Sequence, residues 1–117
     1  MSRFALAPAT ARQRVLEHAP RRVDAGNLRL DPGRRAAFLG GNEVALTARE
    51  FSILETLMRR PGSVLSREEI LEQAWGEREE PMSNTVDVLV ARLRKKLDAH
   101  GSFSRIETVR GVGYRLT

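Results

Sequence analysis

From Arg22 to Thr47 the apolar residues of this chain fall in short alternating groups. From Thr47 to about Asp98 they recur every three or four positions, and from about Arg105 to Leu116 they alternate again. A period of two and a period of 3.6 cannot bury the same face, so the two switches divide the chain into sheet, helices and closing hairpin. The first part reads as four short strands, in "RVDAG", "NLRLDPG", "RRAAFLGG" and "NEVALT", separated by turn chemistry. Asp31-Pro32-Gly33 suits a β-turn in which Pro presets φ and Gly takes a positive one. Gly40-Gly41-Asn42 suits a tight hairpin turn.

Thr47 and Glu50 have the spacing of a capping box, hydroxyl and carboxylate each serving the other's amide. Phe51, Leu54, Leu57 and Met58 follow on one helical face, and Pro61-Gly62 stops the helix. Ser66 and Glu69 repeat the box and open a second helix with Ile70, Leu71, Ala74 and Trp75, ended by Gly76. A charged connection, "EREEP", leads to a third helix over about 83–98, and a hairpin over 105–116 closes the chain. The class is α+β. A short polar loop between the second and third helices makes a helix-turn-helix, and the hairpin stands where a wing would.

At 100° per residue, the third helix puts Val86, Val90, Leu93 and Leu97 on one stripe facing the core. Thr85, Val88, Arg92 and Lys95 lie opposite, with Lys96 and Leu89 on one border and Arg94 on the other. Asp87 suits the positive end of the helix dipole. Arg can grip guanine O6 and N7 or hold phosphate, and an exposed Val or Leu can rest on a thymine methyl. A helix made only for solubility would mix charge signs along its length. Here the acids, Asp87 and Asp98, sit at the ends.

In the hairpin, Ile106, Thr108 and Arg110 alternate with Glu107 and Val109. Gly111 and Gly113 are expected to let the chain turn back without Cβ strain. Arg110 at the tip suits a narrow minor groove, with Arg115 close by, and Tyr114 can donate to a phosphate. An ordinary edge hairpin blunted by arginines would carry similar residues, so this motif draws its meaning from the helix before it.

Charge allows the same reading. Residues 1–22 carry net +4, residues 23–84 net −3 and residues 85–117 net +4, a division that a surface directed at an anionic partner would produce and that a solvated charged face with a basic tail would produce equally. There is no cysteine, which excludes disulfides and thiolate metal sites. No apolar run approaches the roughly 20 residues of a membrane span, and no signal-peptide core is present, so a cytoplasmic location is expected. His18 and His100 stand without a carboxylate or nucleophile at motif spacing. No phosphate-cradling loop or metal-ligand cluster occurs, and Gly111-Val112-Gly113 precedes no helix. Neither an enzyme nor a cofactor is expected.

Three stretches, "LTAREFSILETLMRRPGSVLSREEILEQAWG", "SNTVDVLVARLRKKL" and "IETVRGVGYRL", in this order resemble the DNA-binding effector domain of OmpR/PhoB-type response regulators. The resemblance covers about Val23 to Thr117. It implies a winged helix-turn-helix: an N-terminal four-stranded antiparallel sheet, three helices and a C-terminal β-hairpin wing. It implies that the third helix enters the major groove of duplex DNA, with Thr85, Val88, Arg92 and Arg94 facing it and Lys95 alongside. Thr108, Arg110 and Tyr114 would be wing contacts near the minor groove, and Trp75 would approach the phosphate backbone. The loop Gly76–Pro81 corresponds to a segment that some members use to touch RNA polymerase. Asn84, Leu89 and Ala91 depart from positions where some relatives carry Arg or His, so no relative's operator transfers.

On this resemblance the winged-helix domain occupies residues 22–117. Residues 1–21 read as a linker or arm, "RFALAPATARQRVL" being similar to the last helix of a receiver domain. The chain is then expected to be the C-terminal portion of a longer regulator, with a receiver domain and a sensor kinase as partners. Alone it would be a monomer, and on direct repeats about one helical turn apart a tandem dimer. Two alternatives stay open. One is a stand-alone regulator with a basic arm. The other is a protein-interaction winged helix that docks through exposed Val88 and Leu89.

Overall fold

A computed structural model describes residues 22–75 and 84–117; the arm over 1–21 and the loop Gly76–Pro81 lie outside the described residues. Strands β1 (Val23–Ala25), β2 (Leu28–Asp31), β3 (Ala36–Leu39) and β4 (Asn42–Val44) form an antiparallel sheet in sequence order. In the β3–β4 hairpin Leu39 pairs with Asn42. Gly40 and Gly41 between them have φ of 59° and 87°, as a two-residue turn with both central residues left-handed requires. Three helices follow: α1 (Ala48–Met58), α2 (Arg67–Trp75) and α3 (Thr85–Ala99).

Both capping boxes form. The Glu50 amide donates to Thr47 Oγ1 at 3.2 Å, and the Thr47 amide donates to Glu50 Oε1 at 2.9 Å. Ser66 and Glu69 exchange the same pair of bonds at 3.0 and 2.9 Å. The third helix starts at Thr85, with Asn84 as a cap residue whose side chain makes no capping bond. Leu28, Leu30, Ala37, Leu39 and Val44 of the sheet pack in one core with Phe51, Ile53, Leu54 and Leu57 of α1, Ile70 of α2 and the α3 stripe. Leu89 joins that core at 8% exposure, which corrects its expected place on an exposed border. The rim of α3 facing α1 is closed, so Leu89 is unavailable for docking.

Two turns carry their strain elsewhere than expected. In the β2–β3 turn the left-handed residue is Arg35, with φ of 53°, and not Gly33. Its guanidinium lies 4.6 Å from the Phe51 ring centroid and donates to Ala48 O and Ser52 Oγ, both at 3.2 Å. Those tertiary bonds hold a conformation that costs an L-residue about 1–2 kcal/mol. The other case is the C-terminal hairpin, β6 (Ile106–Val109) and β7 (Gly113–Leu116). Gly111 makes its turn with φ of 74°. Gly113 serves a different purpose. A two-residue strand β5 (Leu65–Ser66), absent from the sequence expectation, pairs with β7 to give a second sheet of order β5-β7-β6. A Cβ on Gly113 would stand 1.9 Å from the Leu65 carbonyl oxygen. Only glycine lets the two backbones meet, so the hairpin is stitched to the start of α2.

Candidate nucleic-acid interface

Because α3 turns Val86, Leu89, Val90, Leu93 and Leu97 inward, its opposite surface is free to meet a partner. Val88 is 40% exposed there, with Arg92 and Lys95 exposed and Thr85 half-buried. At the hairpin tip Arg110 and Val112 are exposed. The side chains of Arg92, Lys95 and Arg110 engage no partner among the described residues.

The cations flanking this surface behave differently. On one flank Lys96 Nζ donates to Glu50 Oε1 at 2.6 Å, tying α3 to α1. Glu50 is 1% exposed. Burial alone would push its carboxyl up, but the Lys96 bond, the Thr47 amide and the Lys96 charge together hold it below the ordinary range. On the other flank Arg94 Nε donates to Ile106 O at 2.9 Å and Arg94 Nη2 to Thr108 Oγ1 at 2.6 Å. The sequence expectation had Arg94 and Thr108 both meeting DNA; the structure brings them together with each other. Arg115 pairs with Glu107 across the hairpin at 2.8 Å.

Tyr114 departs furthest from expectation. It is 4% exposed, and its hydroxyl donates to Asp87 Oδ1. The ring sits near two guanidinium groups, 5.6 Å from Arg67 and 5.7 Å from Arg94. Arg67 Nε donates to the same Asp87 oxygen at 2.8 Å. Burial first, then the Asp87 carboxylate, pushes the Tyr114 phenol up. The Tyr114 hydroxyl first, with Arg67 after it, holds the Asp87 carboxyl below its usual range despite burial. The expected phosphate donor is therefore turned inward. Sequence reasoning placed Asp87 on the helix dipole and left Arg67 out, because no local spacing joins residues on α2, α3 and β7.

Trp75 is half-buried at the end of α2, its ring 4.8 Å from the Arg49 guanidinium. Arg49 Nη1 donates to Ala74 O at 3.1 Å, satisfying one of the carbonyls that a helix end leaves bare.

The arrangement of sheet, three helices and hairpin is that of a winged helix. A family model described as "Transcriptional regulatory protein, C terminal" matches residues 41–116. The chain belongs to this family, the OmpR/PhoB-type effector domains. The transcriptional regulatory protein TcrA of Mycobacterium tuberculosis is 41% identical over 113 residues, covering 97% of this chain and 44% of TcrA. The two-component response regulator PhoP of Pseudomonas aeruginosa is 47% identical over 95 residues, covering 81% of this chain and 42% of PhoP. The chain thus spans a little under half the length of these two relatives. The DNA-binding domain of RstA from Klebsiella pneumoniae, solved in complex with the RstA box, superposes with a TM-score of 0.70 at 36% identity, covering 83% of this chain and 97% of that one. The family is one of transcription regulators and not of enzymes. Among the described residues no helix is long and apolar enough to cross a membrane.

Proposed function

We propose that this chain recognises duplex DNA sequence-specifically, as the effector domain of a two-component response regulator that controls transcription. One observation carries the reading: Arg92 and Lys95 on the outer face of α3, and Arg110 at the hairpin tip, are exposed and unpartnered among the described residues, while Lys96, Arg94 and Arg115 beside them are bonded within the chain. An α-helix fits a major groove about 12 Å wide. In it Arg92 grips a guanine edge, Thr85 and Val88 meet bases or a thymine methyl, and Lys95 holds phosphate. Arg94 uses two of its five N–H groups inside the chain, which leaves three to meet DNA. Arg110 enters the adjacent minor groove, with Thr108 behind it, and Trp75 approaches the backbone.

The names of the relatives, and lengths more than twice the matched part, support a longer regulator; the remainder of the proposal follows from the resemblance of the three motifs. A receiver domain and a sensor kinase complete the regulator. It acts in the cytoplasm, is monomeric as an isolated domain, and pairs in tandem on direct repeats. Contact with RNA polymerase through Gly76–Pro81 is part of the same proposal. Selection from a random duplex pool at micromolar protein, followed by sequencing, tests the central claim. An enriched motif, repeated at about one helical turn, is the expected result. A pool that shows no enrichment at that concentration overturns it.

A further inference from the structure

The flank of α3 that faces the hairpin carries Asp87 and Arg94, seven residues and two turns apart, so both point the same way. Asp87 holds the hydroxyl of Tyr114 on β7, and Arg94 holds a carbonyl and a hydroxyl, Ile106 O and Thr108 Oγ1, on β6. Each strand of the hairpin is thus gripped by one side chain of the recognition helix. Arg67 on α2 braces the grip through the same Asp87 oxygen. A hairpin of two four-residue strands is marginal by itself in water.

We infer that Asp87 and Arg94, with Tyr114 between them, form a clasp that sets the angle between the α3 surface and the hairpin tip before DNA arrives. This deepens the DNA-binding reading and rests on it. In this role Tyr114 is a positioning residue and not a phosphate donor. Its hydroxyl is taken by Asp87, and its ring fills the space between Arg67 and Arg94. A tip held in place leaves less ordering entropy to be lost on binding, and the gain appears only where the bases under α3 and the groove under the tip are both correct. The clasp therefore contributes to sequence discrimination more than to general attraction for DNA.

The experiment compares wild type, Tyr114→Phe and Asp87→Ala on the duplex enriched by selection and on an unrelated duplex of equal length. The readout is the ratio of the two affinities. Partial unfolding lowers both affinities equally and leaves the ratio alone. Loss of the Tyr114–Asp87 bond, made to a charged group, predicts a ratio reduced about tenfold in Tyr114→Phe and at least as much in Asp87→Ala, which also frees Arg67. The double variant should be little worse than Asp87→Ala alone, since Tyr114→Phe removes a link already broken there. An unchanged ratio in both variants overturns the inference; where Tyr114→Phe also weakens the two duplexes alike while its urea unfolding matches wild type, the loss is that of a direct phosphate contact. In parallel, ¹⁵N relaxation of amides 107–113 in the DNA-free protein should show greater mobility in Tyr114→Phe. Amides as rigid as in wild type overturn the clasp. If selection yields no duplex, the DNA reading fails, and the relaxation result still decides whether the clasp holds the hairpin.

Discussion

Glu50→Ala should destabilise the domain by about 2–4 kcal/mol, more than any surface charge substitution. The carboxylate is 1% exposed and serves two elements at once. Losing its bond to the Thr47 amide removes the reciprocal half of a capping box, about 1 kcal/mol. Losing Lys96 Nζ, bonded at 2.6 Å, removes a charge-assisted bond. Because the Lys96 side chain is 35% exposed and can return to water, that loss is discounted to about 1–2 kcal/mol. Truncating a buried methylene adds somewhat under 1 kcal/mol. For a domain of this size each kcal/mol lowers the Tm by about 4–8 °C, so thermal and urea unfolding followed by circular dichroism will register the change easily. The pH dependence has a definite sign. The folded pKa of Glu50 lies below its unfolded value, so its contribution is complete above about pH 5 and disappears as pH falls through the folded pKa. Glu50→Gln keeps an acceptor for Thr47 but loses the charge, and its deficit relative to wild type should shrink between pH 7 and the acid limb. Adding Lys96→Met should cost less than the sum of the single changes. Glu50→Ala within about 0.5 kcal/mol of wild type at pH 7 would refute this account, as would a Glu50→Gln deficit that does not change with pH.

The contacts of the proposed DNA surface have different expected signatures. Arg92→Ala should relax base preference at one position and cost about 1–3 kcal/mol on the selected duplex, whereas equal weakening on all sequences would assign it to phosphate. Arg110→Ala should weaken binding broadly and reduce the log–log salt slope by about one; an unaltered slope removes it from the anionic surface. Gly113→Ala places a Cβ 1.9 Å from Leu65 O and should cost about 3 kcal/mol or unpair β5 from β7, visible in urea unfolding and in amide exchange at Leu65. Wild-type stability in that variant contradicts the close approach. Arg35→Gly and Arg35→Ala both lose the bonds to Ala48 and Ser52, yet the Gly variant should be the more stable by about 1 kcal/mol, because φ of 53° suits only one of them. Equal stabilities would mean that the turn relaxes once the side chain is gone.

What the chain announces by itself is what a few neighbouring residues can decide. Thr47 with Glu50, and Ser66 with Glu69, cap helices through bonds that close within four residues. Gly40-Gly41 imposes its own turn, and the α3 stripe sorts itself by period. That Arg92, Lys95 and Arg110 are exposed was legible because they sit opposite that stripe or at a turn. Tertiary structure decided the rest, wherever a residue's partner lies on another element. It buried Leu89 against the core, drew Lys96 to Glu50 across 46 residues and turned Tyr114 to Asp87 across 27. It also made Gly113 a glycine for the sake of Leu65, and let Arg35 take the strain that Gly33 was expected to carry. None of these follows from spacing, since the energy that selects them comes from surfaces that meet only after the helices and sheets have packed.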